Sequence, residues 1–177
     1  MLMNKSSNKL SSNSALVIVI AHNLRSAHNV GSLFRTCEGL AIDKLILSGY
    51  TPYPRQSKDT RIPHLVEKLD KQIKKTALKT VEIIDWSHED SLVEVVSRLK
   101  ADGYKVVGLE QNDKSTPVTD YKLADKQAII LGNEPQGLDD EAIKLCDVLV
   151  EIPMLGEKES FNVVQAAAMM LFYLRFV

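Results

Sequence analysis

At 177 residues the chain is long enough for one domain with a core that needs no disulfide or structural metal. Hydrophobic residues at 45% and charged residues at 25% exclude fibrous, collagen-like and wholly disordered classes. A formal net charge of −1 excludes a protein coated in positive charge, so a polyanionic partner would have to meet a local patch.

Residues 1–14, MLMNKSSNKLSSNS, read as a disordered Ser/Asn tail without the apolar stretch of a signal peptide, and residues 15–177 as a single domain. From Ala15 onward, β-rich apolar runs alternate with helical patterns, the signature of βα units and of a mainly parallel sheet flanked by helices, hence the α/β class. The expected strands are Leu16–Ala21, Lys44–Ser48, Val81–Trp86, Lys105–Leu109, Ala128–Leu131 and Val148–Ile152. Helices are expected to start near Asn29, His64, Ser91, Asp139 and Phe161. In the first of these, Val30, Leu33, Phe34, Cys37 and Leu40 follow the spacing of a buried face, with Asn29 as the expected N-cap and Gly39 near the end. The last helix is apolar nearly all round, with Ala166, Ala167 and Ala168 allowing close approach. It therefore calls for cover within the domain and from a second subunit.

Two connections are longer than linking requires: Gly49–Pro63, which carries Tyr50, Tyr53 and three prolines, and the polar Glu110–Lys126. Between Arg55 and Lys79, eight basic residues (Arg55, Lys58, Arg61, Lys68, Lys71, Lys74, Lys75, Lys79) face three acidic ones (Asp59, Glu67, Asp70), a local net of +5. Such a stretch suits a phosphate backbone, and it equally describes a solvated helix face. Cys37 and Cys146 have no CxxC partner and form no metal-ligand spacing with the four histidines. They read as small buried hydrophobes of a reducing cytoplasm, with no metal expected. No run of about 18 apolar residues is present, so no membrane span is expected.

For chemistry, the absence of GxGxxG after the first strand and of GxxxxGK[ST] removes the usual dinucleotide and P-loop readings. No Ser-His-Asp or paired-carboxylate arrangement supports a hydrolase. The glycine-bearing turns come late, at Gly132–Gly137 and Gly156, beyond the carboxyl ends of two expected strands, where α/β sheets bind ligands. Glycine there lets the main chain turn tightly and approach a ligand closely.

Three motifs then stand in order: Asn29-Val-Gly31-Ser-Leu-Phe-Arg35, Leu131-Gly132-Asn-Glu134-Pro-Gln-Gly137, and Ile152-Pro-Met-Leu-Gly156-Glu-Lys-Glu-Ser160-Phe-Asn162. In these the chain resembles the TrmH (SpoU) family of the SPOUT superfamily, S-adenosylmethionine-dependent RNA 2′-O-ribose methyltransferases, over nearly its whole length after Ser14. The resemblance implies a deep C-terminal trefoil knot within about residues 105–177 and S-adenosylmethionine held at Leu109, Gly132, Ile152 and Phe161. It implies catalysis by Arg35 with Asn29, Glu134, Ser160 and Asn162 in support. The family account makes this arginine the base, yet a guanidinium keeps its proton in nearly all settings; holding the adjacent phosphate and stabilising the forming alkoxide is the other role open to it. Glu134 would face the sulfonium or order the knot loop through backbone N–H groups, and Ser160 and Asn162 would cap the last helix. Pro135, Phe161 and Gln165 depart mildly from the common pattern.

The resemblance further implies a cytoplasmic homodimer that borrows its arginine from the neighbouring subunit and acts on structured RNA, tRNA favoured over rRNA. Arg55–Lys79, Tyr50 and Tyr53 would contact the RNA, the tyrosines by stacking, since the chain has no room for an appended RNA-binding domain. The alternative is a non-catalytic RNA-binding protein of the same fold, against which the retained Asn29, Arg35, Glu134, Ser160 and Asn162 argue.

Overall fold

A computed structural model describes residues 14–177; residues 1–13, nearly all of the expected tail, lie outside the described residues. The central strand β1 (Leu16–His22) is a continuous apolar run because parallel neighbours and helices cover it on both faces. Around it β2 (Lys44–Ser48), β3 (Trp86–Glu89), β4 (Lys105–Leu109), β5 (Thr116–Pro117), β6 (Lys126–Leu131) and β7 (Val148–Glu151) form one sheet, in the order β3-β2-β1-β6-β4-β7-β5 with every pairing parallel.

Period-two alternation divides the core between the two faces of that sheet. Val17, Val19 and Ala21 of β1 and Ile129 and Leu131 of β6 pack with α1 (Ala27–Gly39), α2 (Pro63–Ala77) and α5 (Val163–Phe176). Their neighbours Ile18, Ile20, Ala128 and Ile130 pack with α3 (Leu92–Ala101) and α4 (Asp140–Leu145). Each fully buried Val, Leu or Ile adds roughly 1.5–3 kcal/mol, so these two layers dominate stability.

Gly31 sets the crossing of α1 and α2. A Cβ there would stand 2.1 Å from Thr76 Oγ1 and 2.2 Å from the Ile73 carbonyl oxygen, and the Thr76 hydroxyl bridges the helices by donating to the His28 carbonyl at 2.9 Å. At the other end of the molecule Arg175, in the last turn of α5, is buried and donates to the carbonyls of Ala15 at 2.6 Å and Leu40 at 3.0 Å, and to that of Ala41. A cation placed on the terminal carbonyls of α1 also suits that helix's dipole.

Several boundaries differ from the sequence reading. The expected strand Val81–Trp86 is a 3-10 turn, Thr80–Glu82, followed by a strand displaced to Trp86–Glu89. Leu78 and Lys79 adopt left-handed backbone angles after α2, and the Thr80 hydroxyl donates to the Ala77 carbonyl at 2.6 Å, so the apolar Val81 is buried in a turn and not in a strand. Helix α1 is capped by Ser26, whose hydroxyl accepts from the Asn29 N–H, and not by Asn29. Helix α5 starts at Val163, with Asn162 accepting from the Val164 N–H as its cap; Ser160 does not cap it. The Glu110–Lys126 connection contains β5 and a further 3-10 turn, Val118–Asp120.

Candidate active site

Because the strands run parallel, the segments after Ser48, Leu109, Leu131 and Glu151 emerge at one edge of the sheet. There a cleft of about 270 Å³ opens between the ends of β4, β6 and β7 and the start of α5. Leu109, Gly132, Ile152 and Phe161, the four positions assigned to the cofactor, all line it, and so do Glu134 and Ser160. The walls are mixed, with apolar Leu109, Leu131, Ile152, Phe161 and Val163 on one part and polar Glu110, Asn133, Glu134 and Gln136 converging on the other, so the site offers both an apolar surface and hydrogen-bonding groups to a small molecule.

The loop after β6 is shaped by glycine contacts. Gly132 packs on the backbone of Gly137, where a Cβ would come within 2.2 Å of the Gly137 carbonyl carbon. Asn133 and Gly137 exchange backbone hydrogen bonds at 3.1 and 2.9 Å, and Gly137 takes φ +68°. Glu110, just past β4, holds this loop from the other side, its carboxylate accepting from the Leu138 N–H at 2.6 Å and the Gln111 N–H at 3.1 Å. Nothing in the chain itself requires glycine at 156, since a Cβ there would meet no atom within 4 Å and its φ is not positive; the tight-turn role expected of Gly156 is not seen.

One hydrogen-bonded chain joins the three motifs. Glu134 accepts from Asn29 Nδ2 at 2.8 Å and from the N–H groups of Arg25 and Ser26 at 3.1 and 3.2 Å. Asn29 Oδ1 in turn accepts from Asn162 Nδ2 at 3.4 Å, and Asn162 caps α5. Partial burial raises the Glu134 pKa, but the bonds from Arg25, Asn29 and Ser26 outweigh it and hold the carboxyl below its ordinary value, so it is ionised at neutral pH. The carboxylate therefore orders the entry to α1, a structural role on a different segment from the knot loop suggested by the sequence.

Arg35 is not brought to this cleft. It is exposed on α1 and, with Ser32, Thr36, Lys75, Thr76 and Leu78, lines a separate groove between α1 and the end of α2. No residue lines both depressions.

The two tyrosines proposed for stacking part company. Tyr53 is sandwiched, with His88 stacked on one face at 3.9 Å between ring centroids and the Arg61 guanidinium over the other at 3.4 Å, so neither face is free for a base. Arg61 is further tied to Asp59 and to the carbonyls of Tyr53 and Pro54, and the Arg61 guanidinium holds the Asp59 carboxyl far below its usual range. Tyr50 remains exposed beside the cleft, fixed by its N–H to Asn23 Oδ1 at 3.1 Å and by Asn133 Nδ2 to its hydroxyl at 3.4 Å. Burial pushes the thiols up to about 12 for Cys37 and about 11 for Cys146, so neither is a thiolate at neutral pH; Cys37 is buried as expected and Cys146 is only half-buried. No helix among the described residues is long and apolar enough to cross a membrane.

Sequence reasoning missed Glu110, Asn133 and the Asn23–Tyr50 contact. Only the position of Glu110, immediately after an expected strand, hinted at its place in the loop.

Fold and cleft together define an α/β domain with a parallel sheet and a candidate site at its carboxyl edge, shaped by the Gly132–Gly137 turn. A family model described as the SpoU rRNA methylase family matches residues 16–172, and the chain belongs to that family. It is similar to the mouse (Mus musculus) tRNA (guanosine(18)-2′-O)-methyltransferase TARBP1, 27% identical over 163 residues, which are 92% of this chain and 10% of the relative. It is also similar to a protein of Staphylococcus aureus (strain COL) assigned to the TrmH family of tRNA/rRNA methyltransferases, 28% identical over 160 residues, 89% of this chain and 57% of that one. The chain thus spans about half the length of the latter and a tenth of the former. Among solved structures, the AdoMet complex of the SpoU methyltransferase AviRb from Streptomyces viridochromogenes superposes with a TM-score of 0.75 at 21% identity, covering 98% of this chain and 62% of that one, which shows the shared fold.

Proposed function

We propose that the protein methylates a ribose 2′-hydroxyl of structured RNA, tRNA in preference to rRNA, with S-adenosylmethionine as methyl donor. The observation that carries this reading is the cleft itself: Leu109, Gly132, Ile152 and Phe161 converge on one space, and a single hydrogen-bonded chain ties it to the Asn29 motif. The residues present fit such a ligand. Apolar Leu109, Ile152 and Phe161 suit an adenine, backbone groups of the Gly132–Gly137 turn offer donors and acceptors, and the carboxylates Glu110 and Glu134 favour a cation. When bound, that group supplies a methyl carried on a positively charged sulfur.

The chain's own residues do the rest. Tyr50 gives an exposed ring beside the cleft on which a base stacks. The Arg35 guanidinium, making no ion pair or hydrogen bond among the described residues, stabilises the oxyanion as the 2′-hydroxyl gives its proton to solvent water. Its groove shares no residue with the cleft, which supports an active site completed by the Arg35 of a second subunit. The unpartnered stripe Met169, Phe172 and Phe176 on α5 supports that homodimer. The knotted C-terminal third and a cytoplasmic place of action belong to the same proposal, as does the preference for tRNA, which follows the name of the mouse relative.

The test is incubation with labelled S-adenosylmethionine and total RNA, followed by digestion and identification of the labelled nucleoside. A 2′-O-methylated nucleoside in the tRNA fraction is expected. A base-methylated product overturns the ribose assignment, and RNA binding with neither label nor cofactor binding replaces the enzyme by a binding protein. Arg35→Ala is expected to lower kcat at least about a hundredfold, the scale of losing one oxyanion-stabilising group; near-parental turnover removes Arg35 from the mechanism.

A further inference from the structure

The groove that holds Arg35 is broad, about 530 Å³, and its lining carries two cations and no acid. Arg35 comes from α1 and Lys75 from the last turn of α2, and neither forms an ion pair among the described residues. The neighbouring Lys74 is neutralised by Asp70 at 2.9 Å. Ser32 and Thr36, on the same face of α1, add hydroxyls that make no hydrogen bond among the described residues. The two helices are held close together here, because Gly31 lets them meet at backbone distance and the Thr76 hydroxyl bridges α2 to the His28 carbonyl of α1. An unneutralised pair of cations projecting from two packed helices beside free hydroxyls suits a tetrahedral oxyanion.

What distinguishes a polyanion from a single small anion is the rest of α2. His64, Lys68, Lys71 and Lys75 are all exposed, and at 100° per residue they fall within about 60° of one another on one face of that helix. The row extends about 16 Å at 1.5 Å per residue and ends at the groove. We propose that this face is a phosphodiester track and that Lys75, the residue of the row that reaches the groove, holds the backbone phosphate next to the target ribose while Arg35 faces the 2′ oxygen. The proposal rests on the RNA-methyltransferase reading above and assigns to Lys75 a positioning contact that the family motifs do not include.

The test compares parent, Lys75→Gln, Lys75→Arg and, as a charge-matched control far along the chain on α4, Lys144→Gln. Total tRNA is the probe, bound at several salt concentrations, and S-adenosylmethionine binding is followed separately by calorimetry. Lys75→Gln is expected to weaken tRNA binding about three- to tenfold near 0.15 M salt and to flatten the logarithmic salt slope by about one unit. KM for tRNA should rise by a similar factor with kcat within about twofold and cofactor affinity unchanged, and Lys75→Arg should restore the slope. Lys144→Gln should leave the slope at the parental value, which separates a local contact from lost net charge. A parental slope in Lys75→Gln while the parent binds both tRNA and cofactor overturns the track and leaves the methyltransferase reading standing. Failure of the parent to bind tRNA or to transfer methyl overturns both.

Discussion

The cleft after β6 and the segment from Gly49 to Lys79 both begin where parallel strands end at one edge of the sheet, yet they are built by opposite means. Around the cleft, shape comes from main chain on main chain: Gly132 against Gly137, and Glu110 bonded to the N–H groups of Gln111 and Leu138. Along the segment from Gly49 to Lys79, shape comes from side-chain charge, with Arg55, Lys58, Lys68, Lys71, Lys74, Lys75 and Lys79 exposed and, of its eight basic residues, only Arg61 folded inward. A small, defined ligand is recognised by steric fit that salt barely touches, whereas a long polyanion is recognised by charges whose effect screens away within about 8–10 Å at ordinary salt. Mutations should therefore separate the two regions by kind of damage.

The largest effect is expected where the backbone contact is tightest. Gly132→Ala forces a methyl to within 2.2 Å of the Gly137 carbonyl carbon, so the loop must move. A cost of about 2–3 kcal/mol is expected from overpacking, seen as a fall in Tm of roughly 5–10 °C, together with at least about a tenfold loss of S-adenosylmethionine affinity by calorimetry. Unchanged cofactor affinity in a folded Gly132→Ala protein would detach the cleft from the cofactor.

Gly31→Ala is the matching substitution on the other side of the comparison. Its Cβ also meets backbone, at 2.2 Å from the Ile73 carbonyl oxygen, while the better helix propensity of alanine returns up to about 1 kcal/mol. A net loss of about 1–2 kcal/mol is expected, with cofactor affinity within about twofold of the parent and tRNA affinity reduced, because α1 and α2 part at the Arg35 groove. Thermal unfolding and the two binding isotherms read all three quantities.

Those two glycines also show what the sequence made legible. The alternation of apolar runs with helical patterns located five of the seven strands and all five helices to within a few residues, because burial on two faces leaves continuous apolar runs in β1, β2, β4, β6 and β7. The cleft residues were legible through the motifs, since glycines and apolar strand ends recur wherever main chain lines a pocket. What the sequence hid were decisions made by partners distant along the chain. Val81 looks like strand until the left-handed turn at Leu78 and Lys79 is known, and the sixteen residues from Pro63 to Leu78 contain nothing that announces it. Tyr53 looks like a free aromatic until Arg61 and His88 close on its faces. Asn29 looks like a cap until Ser26 takes that role and frees its amide for Glu134, 105 residues away. Arg175, a charge inside an apolar helix, is explained by the carbonyls of Ala15, Leu40 and Ala41 and by the Asp43 carboxylate, all far from it in sequence.

Glu134 sharpens the comparison through pH. Its folded pKa lies below the ordinary 4.5, so the stability it contributes is fully present above the unfolded value and is lost as pH falls through the folded one. The parent should thus lose stability below about pH 4.5, and Glu134→Gln, which cannot titrate, should lose less over that interval. At neutral pH Glu134→Gln is expected to cost about 1 kcal/mol, the difference between charge-assisted and neutral hydrogen bonds to Arg25, Ser26 and Asn29. Urea unfolding of both proteins from pH 7 to pH 3 measures the difference, and parallel curves would show that the carboxylate does not hold the α1 entry.

The smallest expected effect runs in the opposite direction. Lys79 adopts φ +73° immediately after Leu78 at +50°, a pair of left-handed residues that ends α2, and a side chain there costs about 1–2 kcal/mol that glycine does not pay. Part of that gain is cancelled because glycine loses more freedom on folding, leaving roughly 0.5–1 kcal/mol in favour of Lys79→Gly and a Tm higher by about 1–3 °C. The same change removes one cation from the segment between Gly49 and Lys79, so a more stable protein should bind tRNA slightly less tightly, with cofactor affinity unaltered. Stability and RNA affinity moving apart in this variant, while they fall together in Gly31→Ala, would show that Lys79 is kept at a strained position for its charge. A gain in stability with no change in the salt dependence of tRNA binding would mean that the charge track ends at Lys75.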